Sequence, residues 1–319
     1  EPFLIIRSNI YEKSNYIIIL YQANMNIQNV YILEDRGIIY VHGVDVREFL
    51  QNLITNNIDY VDKNNSCFAS LLTPQGKYLY DFIIIKHKNG YIIDCEKELV
   101  EGLIKQFNLY KLRSKIEILN LSNEFVVAAF SQERFMQFNE AKNQSGYTIR
   151  YRDDPILLDP RNKKLGGRLI INLEKLYLSL KKMNLKSAET KKYYSFTHEL
   201  GIPQKSMKKL QNKIFGIECN FDELNGIDFK KGCYVGQENT ARIKLKDKLT
   251  KRLFPIQLIK GTLVEGGSIQ DNQHEIGKIL INNMYPFGLI KYTNEYFNEN
   301  IEYKSENALL KIKKPDWIN

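Results

Sequence analysis

The stretch Phe229-Lys230-Lys231-Gly232-Cys233-Tyr234-Val235-Gly236-Gln237-Glu238 constrains this chain more than any other part of it. A lone cysteine lies between two glycines, with two lysines before it and Gln-Glu after it. Glycine accepts positive φ and close backbone approach, so Gly232 and Gly236 allow the chain to turn sharply here. Lys230, Lys231 and Arg242 bring positive potential, which favours thiolate over thiol at Cys233. Gln237 and Glu238 open a predicted helix, where an acid suits the positive end of the dipole. An inert cysteine in a strand-to-helix turn would account for the composition but not for the order of the whole string.

Read together with Asp222-Glu223-Leu224-Asn225-Gly226-Ile227, the string closely resembles the signature of the YgfZ family. Those are folate-binding proteins of iron–sulfur cluster maintenance, with mitochondrial counterparts, related to the glycine-cleavage aminomethyltransferase (T-protein). The resemblance continues along the chain. Val41 to Asn56 is similar to the family opening V-x-G-x-D-x-x-x-F-L-Q-x-x-x-T-N, and Gly76 to Phe82 to G-(K/R)-x-L-x-D-F. Tyr110 to Ile116 is similar to Y-x-L-R-S-K-V, and Asp159 to Arg168 to D-P-R-x-x-x-L-G-x-R. Tyr193 to Gln204 is similar to Y-x-x-x-R-x-x-x-G-I-P-E, with Thr197 in place of the arginine and Gln204 in place of the glutamate. The match covers roughly residues 26–315 and is most specific around Cys233.

The resemblance implies an α+β, aminomethyltransferase-like folate-binding fold with a small C-terminal β-barrel. Expected units are a folate-binding core of residues 25–119 plus 190–245, a second α+β domain at 120–189, and the barrel at 246–319. Residues 1–24 lack a periodic apolar face and are expected to lie outside the fold. A tetrahydrofolate-type cofactor is implied, with Gln51, Thr55, Asn56, Asp81, Arg113, Lys231, Tyr234, Gln237 and Glu238 as its contacts and Cys233 as the catalytic residue. Asp81 stands inside an apolar strand, where a carboxylate needs a partner. A ligand or a solvent-facing edge position would each satisfy it.

Local signals fill in the elements. Asp45 and Glu48 form a capping-box-like start before Phe49, Leu50, Leu53 and Ile54 at helical spacing. Tyr78 to Lys86 and Tyr91 to Cys95 read as a hairpin across Asn89-Gly90. Ile38 to Val41 is a strand with His42-Gly43 as its turn, and Lys181 to Lys192 reads as a polar linker. Short strands with frequent turns after residue 253 suggest the barrel.

Charge and motif content narrow the function. Residues 181–260 hold 18 Lys/Arg against 8 Asp/Glu, while the whole chain carries +9. That local surplus points to an anionic partner such as a polyglutamylated cofactor or RNA. Four cysteines stand far apart with no C-x-x-C, so neither a metal-site spacing nor a disulfide framework is indicated. Free thiols fit a reducing compartment, the cytoplasm or the mitochondrial matrix of a eukaryote. No apolar run approaches the roughly 20 residues of a membrane span. There is no Gly-rich phosphate loop, G-x-S-x-G or H-E-x-x-H.

Three function classes remain. The resemblance favours a folate-dependent accessory factor for assembly or repair of iron–sulfur proteins, acting through Cys233. Its partners would be iron–sulfur targets or assembly factors, with tRNA-modifying enzymes affected indirectly. A true aminomethyltransferase would carry an acid where Cys233 stands and paired acids near Asp81, so a transferase-like fold without that activity is expected. An RNA-binding module would use the basic 181–260 region.

Overall fold

The computed structural model describes residues 25–246, 249–271, 274–292 and 297–318. Residues 1–24, expected to lie outside the fold, fall outside the described residues. The architecture is two antiparallel-dominated sheets with helices, followed by a closed barrel, as the resemblance implied.

The first sheet holds β2 (Arg36–Gly43), β3 (Cys67–Leu72), β4 (Tyr78–His87), β5 (Gly90–Glu96) and β6 (Ile116–Asn120). Its order is β3-β4-β5-β2-β6. Every residue of β3 and β5 is buried, so neither shows the alternation of a half-exposed strand, and β5 buries Asp94 and Glu96 among its apolar residues. Helix α1 (Val46–Leu53) buries Val46, Phe49, Leu50 and Leu53. Helix α2 (Val100–Lys111) brings Phe107 edge-on to Phe49 and Phe82, at 5.8 and 6.1 Å between ring centroids. Such edge-to-face contacts suit the ring quadrupoles.

The second sheet runs β11-β1-β7-β10-β9-β8. It contains β1 (Asn29–Leu33), β7 (Phe125–Phe130), β8 (Thr148–Tyr151), β9 (Asp154–Leu158), β10 (Gly167–Asn172) and β11 (Lys186–Ser187). The short helix α3 (Gln132–Phe135) and helix α4 (Leu173–Lys182) accompany it. Helix α5 (Thr190–Glu199) then leads back toward the first sheet. The barrel holds β12 (Lys251–Lys260), β13 (Ser268–Gln270), β14 (Glu275–Ile281), β15 (Phe287–Lys291), β16 (Tyr303–Ser305) and β17 (Ala308–Ile312). It closes as β12-β15-β14-β13-β16-β17 around Phe254, Ile256, Ile269, Ile279, Ile290 and Tyr303.

Five local expectations differ from the structure. Strand β1, grouped by sequence with residues 25–119, pairs with β7 in the second sheet. The stretch expected to be a linker contains β11, which pairs in parallel with β1. The hairpin turn is Lys88-Asn89, with Lys88 at φ 46, and Gly90 already belongs to β5. A Cβ at Gly90 would sit 2.3 Å from the Val41 carbonyl oxygen, so the glycine serves strand packing. The capping box does not form either: the Asp45 carboxylate accepts from Lys115 N at 2.7 Å, and β2 extends through His42 to Gly43.

One buried ionic network joins the two sheets. Asp94 on β5 accepts from Arg36 Nε at 2.7 Å and from Arg168 Nη2, on β10, at 2.6 Å. Arg168 also donates to the Tyr193 hydroxyl at 3.2 Å and lies 3.6 Å from Asp159. Asp159 in turn binds Arg161 through two oxygens, at 3.0 and 2.7 Å, and Arg161 donates to Gln204 Oε1 at 3.1 Å. Burial would raise the Asp94 carboxyl, but Arg168 and Arg36 outweigh it and hold it below its ordinary value.

Replacing Asp94 with Asn leaves the Arg36 guanidinium without a counter-charge and Arg168 with only Asp159, at 3.6 Å. The expected loss is about 3–5 kcal/mol, read by denaturant unfolding. An unchanged midpoint would show that the network does not join the sheets. A second test concerns Glu96, which accepts from Ser206 N and Met207 N at 2.6 and 3.0 Å. Burial pushes its carboxyl from 4.5 up to about 7. The folded state thus binds a proton that the unfolded chain has released. Its contribution is present in acid and lost as pH rises through 7. The Tm advantage of the wild type over Glu96→Gln should shrink across that window, and a constant difference would refute the assignment.

Candidate functional site

The signature loop has almost no backbone pairing of its own, so side chains must anchor it. Lys231 supplies the main anchor. Its ammonium donates to the carbonyl oxygens of Gln51 at 2.7 Å, Ile54 at 2.7 Å and Asn56 at 2.8 Å. These carbonyls lie at and just beyond the C-terminus of α1, where a helix leaves acceptors unpaired and a cation is favoured. Lys231 is 7% exposed, and burial lowers its pKa to about 8. Its ammonium also lies 5.2 Å from the centroid of the Tyr234 ring.

The other end of that motif returns the contact. Thr55 Oγ1 donates to the Gly226 carbonyl at 2.6 Å and accepts from Ser70 N at 2.9 Å. Asn56 Nδ2 donates to the carbonyls of Phe68 and Asn225, at 2.7 and 2.8 Å. Asp228 N donates to the Thr55 carbonyl at 3.0 Å. Gln51 accepts from Ile58 N at 2.9 Å and donates to Asn57 Oδ1 at 3.1 Å, shaping the turn after the helix.

On this anchored loop Cys233 is exposed, whereas Cys67, Cys95 and Cys219 are buried. Burial pushes the Cys67 thiol up to about 12 and raises those of Cys95 and Cys219 as well. Lys231, expected to supply positive potential at Cys233, instead directs its ammonium to the α1 carbonyls. The flanking glycines have different reasons. Gly236 has φ +85, and a Cβ there would lie 2.5 Å from the Thr73 carbonyl oxygen. It caps helix α6 (Gln237–Leu245), which carries Glu238 in its first turn as expected. Gly232 has no positive φ, and a Cβ there would meet nothing within 4 Å. The fold does not require glycine at that position.

The remaining site residues are dispersed. Asp81 is buried, with one carboxylate oxygen accepting from Tyr78 OH at 2.6 Å. Tyr234 is 8% exposed, and burial pushes its hydroxyl up to about 12. Arg113 is exposed on the rim of a depression of about 930 Å³, over Phe49, Leu53 and Tyr110, with Val235 on its wall. A second depression, of about 990 Å³, is lined by Asn56, Phe68, Asp222, Asn225 and Asp228 among others. Cys233 lines neither. Gln237 and Glu238 are half-buried and exposed at the start of α6.

These residues do not fit a folate as a set. Gln51, Thr55, Asn56, Lys231 and Tyr234 are engaged by protein groups, Asp81 is held by Tyr78, and Arg113, Gln237 and Glu238 remain open. The larger depression carries Asp59, Asp62, Asp222 and Asp228 against the single Lys163, a poor match for an anionic glutamate tail. Two departures also have protein-side roles. Thr197 is 2% exposed and donates to its own helix at Tyr194 O, and Gln204 accepts from Arg161. His198 packs edge-on to Phe287 and hydrogen-bonds the Pro286 carbonyl. Sequence reasoning overlooked Asp94 and Arg36. A carboxylate inside the apolar run Tyr91 to Cys95 was the available signal.

No family model matches the chain. It is 30% identical over 268 residues to the mitochondrial iron–sulfur cluster assembly factor IBA57 homolog of Dictyostelium discoideum, spanning 75% of this chain and 64% of that protein. It is 31% identical over 237 residues to the Neurospora crassa homolog, spanning 70% and 52%. With the Mus musculus IBA57 it shares 26% identity over 253 residues, spanning 74% and 67%. The chain thus spans about half to two-thirds of the length of the curated relatives it matches. Among solved structures, the glycine cleavage system aminomethyltransferase T from Bartonella henselae matches with a TM-score of 0.72. That match covers 93% of this chain and 88% of that one at 11% identity. The fold is aminomethyltransferase-like, and the chain's homologues are IBA57 assembly factors.

The anchor makes a direct test. Lys231→Met removes the donor from three carbonyls, and buried unmet acceptors cost about 1–3 kcal/mol. Tm should fall accordingly, and amide exchange should speed up selectively at Leu53 to Asn57. Wild-type exchange there would mean that the ammonium does not secure the helix end.

Proposed function

We propose that this chain, a homologue of the IBA57 factors, is an accessory factor for the assembly or repair of iron–sulfur proteins and that it acts through Cys233. One observation carries the reading beyond homology: the exposed cysteine of the four sits on an anchored loop and lines neither large depression. A thiol placed in that way faces a macromolecule more readily than an enclosed small molecule. As the thiolate it is a soft nucleophile and a soft ligand, suited to sulfur transfer or to brief contact with a cluster carried by the partner. The open space at Gly232 supports close approach to the sulfur.

In this reading the polar motif residues are scaffold. Lys231, Thr55 and Asn56 hold the loop still, so the thiol is presented without an ordering cost on encounter. A tetrahydrofolate dependence is suggested by the motif resemblance and the fold likeness, and no step is routed through it. The aminomethyltransferase alternative rests on the same likeness and lacks the acid at position 233. An effect on tRNA modification would be indirect, through enzymes that need intact clusters. The named relatives are mitochondrial, and the mitochondrial matrix is the proposed location for a eukaryotic chain. None of the described helices is long and apolar enough to cross a bilayer.

Cys233→Ser tests the proposal. At an exposed position the exchange should change stability by no more than about 0.5 kcal/mol. It should nevertheless fail to restore iron–sulfur enzyme activity in cells lacking the endogenous factor. Alkylation of the native protein should modify Cys233 well before Cys67, Cys95 or Cys219. Full rescue by the serine variant would reduce the loop to a structural turn.

A further inference from the structure

Helix α6, which follows the signature loop, buries only Thr240. A nine-residue helix gains little from propensity alone and is normally held by an apolar face against a neighbour. Here Ile243 is half-buried against the main apolar core, while Leu245 is turned outward and 85% exposed. Beside them lies a depression of about 310 Å³ with Phe215 and Ile243 as its apolar lining and Arg242 and Lys246 as its charges. No carboxylate lines it among the described residues.

Part of the basic stretch is compensated by carboxylates. Lys205 pairs with Asp35, Lys209 and Lys213 with Glu265, Lys244 with Asp222, and Arg252 with Glu223. Arg242 donates to the Asn239 side chain, and neither it nor Lys246 forms an ion pair among the described residues. Two cations without an ion pair among the described residues thus stand near the exposed Leu245.

We infer that this face of α6 docks a protein partner through an acidic segment that carries an aliphatic side chain. The aliphatic group would cover Leu245 and enter the depression, and the carboxylates would meet Arg242 and Lys246. Opposite charges at the rim speed encounter and set orientation, and the buried aliphatic contact supplies most of the affinity. A nucleic acid fits less well. It asks for a row of cations along its backbone and for aromatic stacking surfaces. This spot offers two cations beside Leu245 and Ile243. Helix α6 follows the loop that carries the exposed Cys233 in sequence, and the docking residues lie at its far end. The docking face stands on its own observations and does not require that Cys233 react.

The test titrates the full chain with two short synthetic peptides, one alternating Glu and Leu and one alternating Glu and Ser. A single-stranded RNA oligonucleotide serves as a third ligand, and fluorescence anisotropy reports binding at physiological salt. The Glu-Leu peptide should bind at least about tenfold tighter than the Glu-Ser peptide, a difference of about 1.4 kcal/mol. Arg242→Glu combined with Lys246→Glu should weaken it about tenfold or more, and Leu245→Ser severalfold. Cys233→Ser should leave it unchanged, which separates failure of this inference from failure of the thiol's proposed role. All three substituted side chains on α6 are exposed, so wild-type melting is expected. If the double reversal does not fold, Leu245→Ser decides alone. No binding of the Glu-Leu peptide, equal binding of the two peptides, or variants that bind like wild type would overturn the inference. So would tight RNA binding that Leu245→Ser leaves intact, which would mark a polyanion surface instead.

Discussion

The relation between the two sheets depends on one buried carboxylate. Asp94 is fully buried and takes hydrogen bonds from guanidinium groups on both sides of the junction, Arg36 from its own sheet and Arg168 from the other. Such a group is tolerable only because every strong donor around it is matched. Asp159 extends the pairing to Arg161, whose guanidinium also lies 5.6 Å from the centroid of the Phe68 ring. Three guanidinium groups face two carboxylates, and the difference falls to neutral acceptors: Tyr193 OH, Gln204 Oε1 and the Asp94 carbonyl. The family pattern has glutamate at position 204, which would add the missing negative charge. With glutamine there, Nε2 is buried without a partner among the described residues. Directional bonds of this kind allow one relative orientation of the sheets, where an apolar interface would tolerate sliding.

That orientation matters because the signature loop is fastened to the first sheet at points far apart in sequence. Lys231 secures the loop to the end of α1, while Thr55 and Asn56 secure the end of α1 to residues 225–226 and to β3. Each contact closes a long chain excursion, so it gains only when the sheet beneath is already formed. The two most specific motifs of the chain are therefore two halves of one clamp. Cys233 owes its fixed position to that clamp.

Much of this was legible in the sequence. Several strands, the helix around residues 46–53 and the terminal barrel follow from apolar runs, periodicity and turn signals, and the fold class follows from the family resemblance that the motifs carry. The roles of the polar motif residues were not legible. Gln51, Thr55, Asn56 and Lys231 read as ligand contacts because polar groups in specific positions need partners, and sequence does not say whether the partner is a ligand or backbone. The same ambiguity misplaced Asp45, whose carboxylate serves Lys115 N across the sheet and not its own helix. The hairpin turn shifted from Asn89-Gly90 to Lys88-Asn89 because the neighbouring strand β2 comes too close to Gly90 for any side chain. Tertiary approach decided the register, and no local preference encodes it.

Residues that the fold leaves unexplained point more sharply to function than residues it explains. Lys231, Thr55, Asn56 and Gly236 each have a complete structural reason, so their presence in a motif says nothing direct about chemistry. Gly232 has none: its conformation is open to any residue and the space around it is empty. Cys233 contributes nothing to the core, and Leu245 exposes an aliphatic chain that burial would favour by about 1.5–3 kcal/mol. These unexplained positions lie along a single stretch of chain, from the end of the clamp to the end of α6. A scaffold this firmly anchored, leading into side chains this open, is the arrangement expected where one macromolecule must present a reactive atom to another.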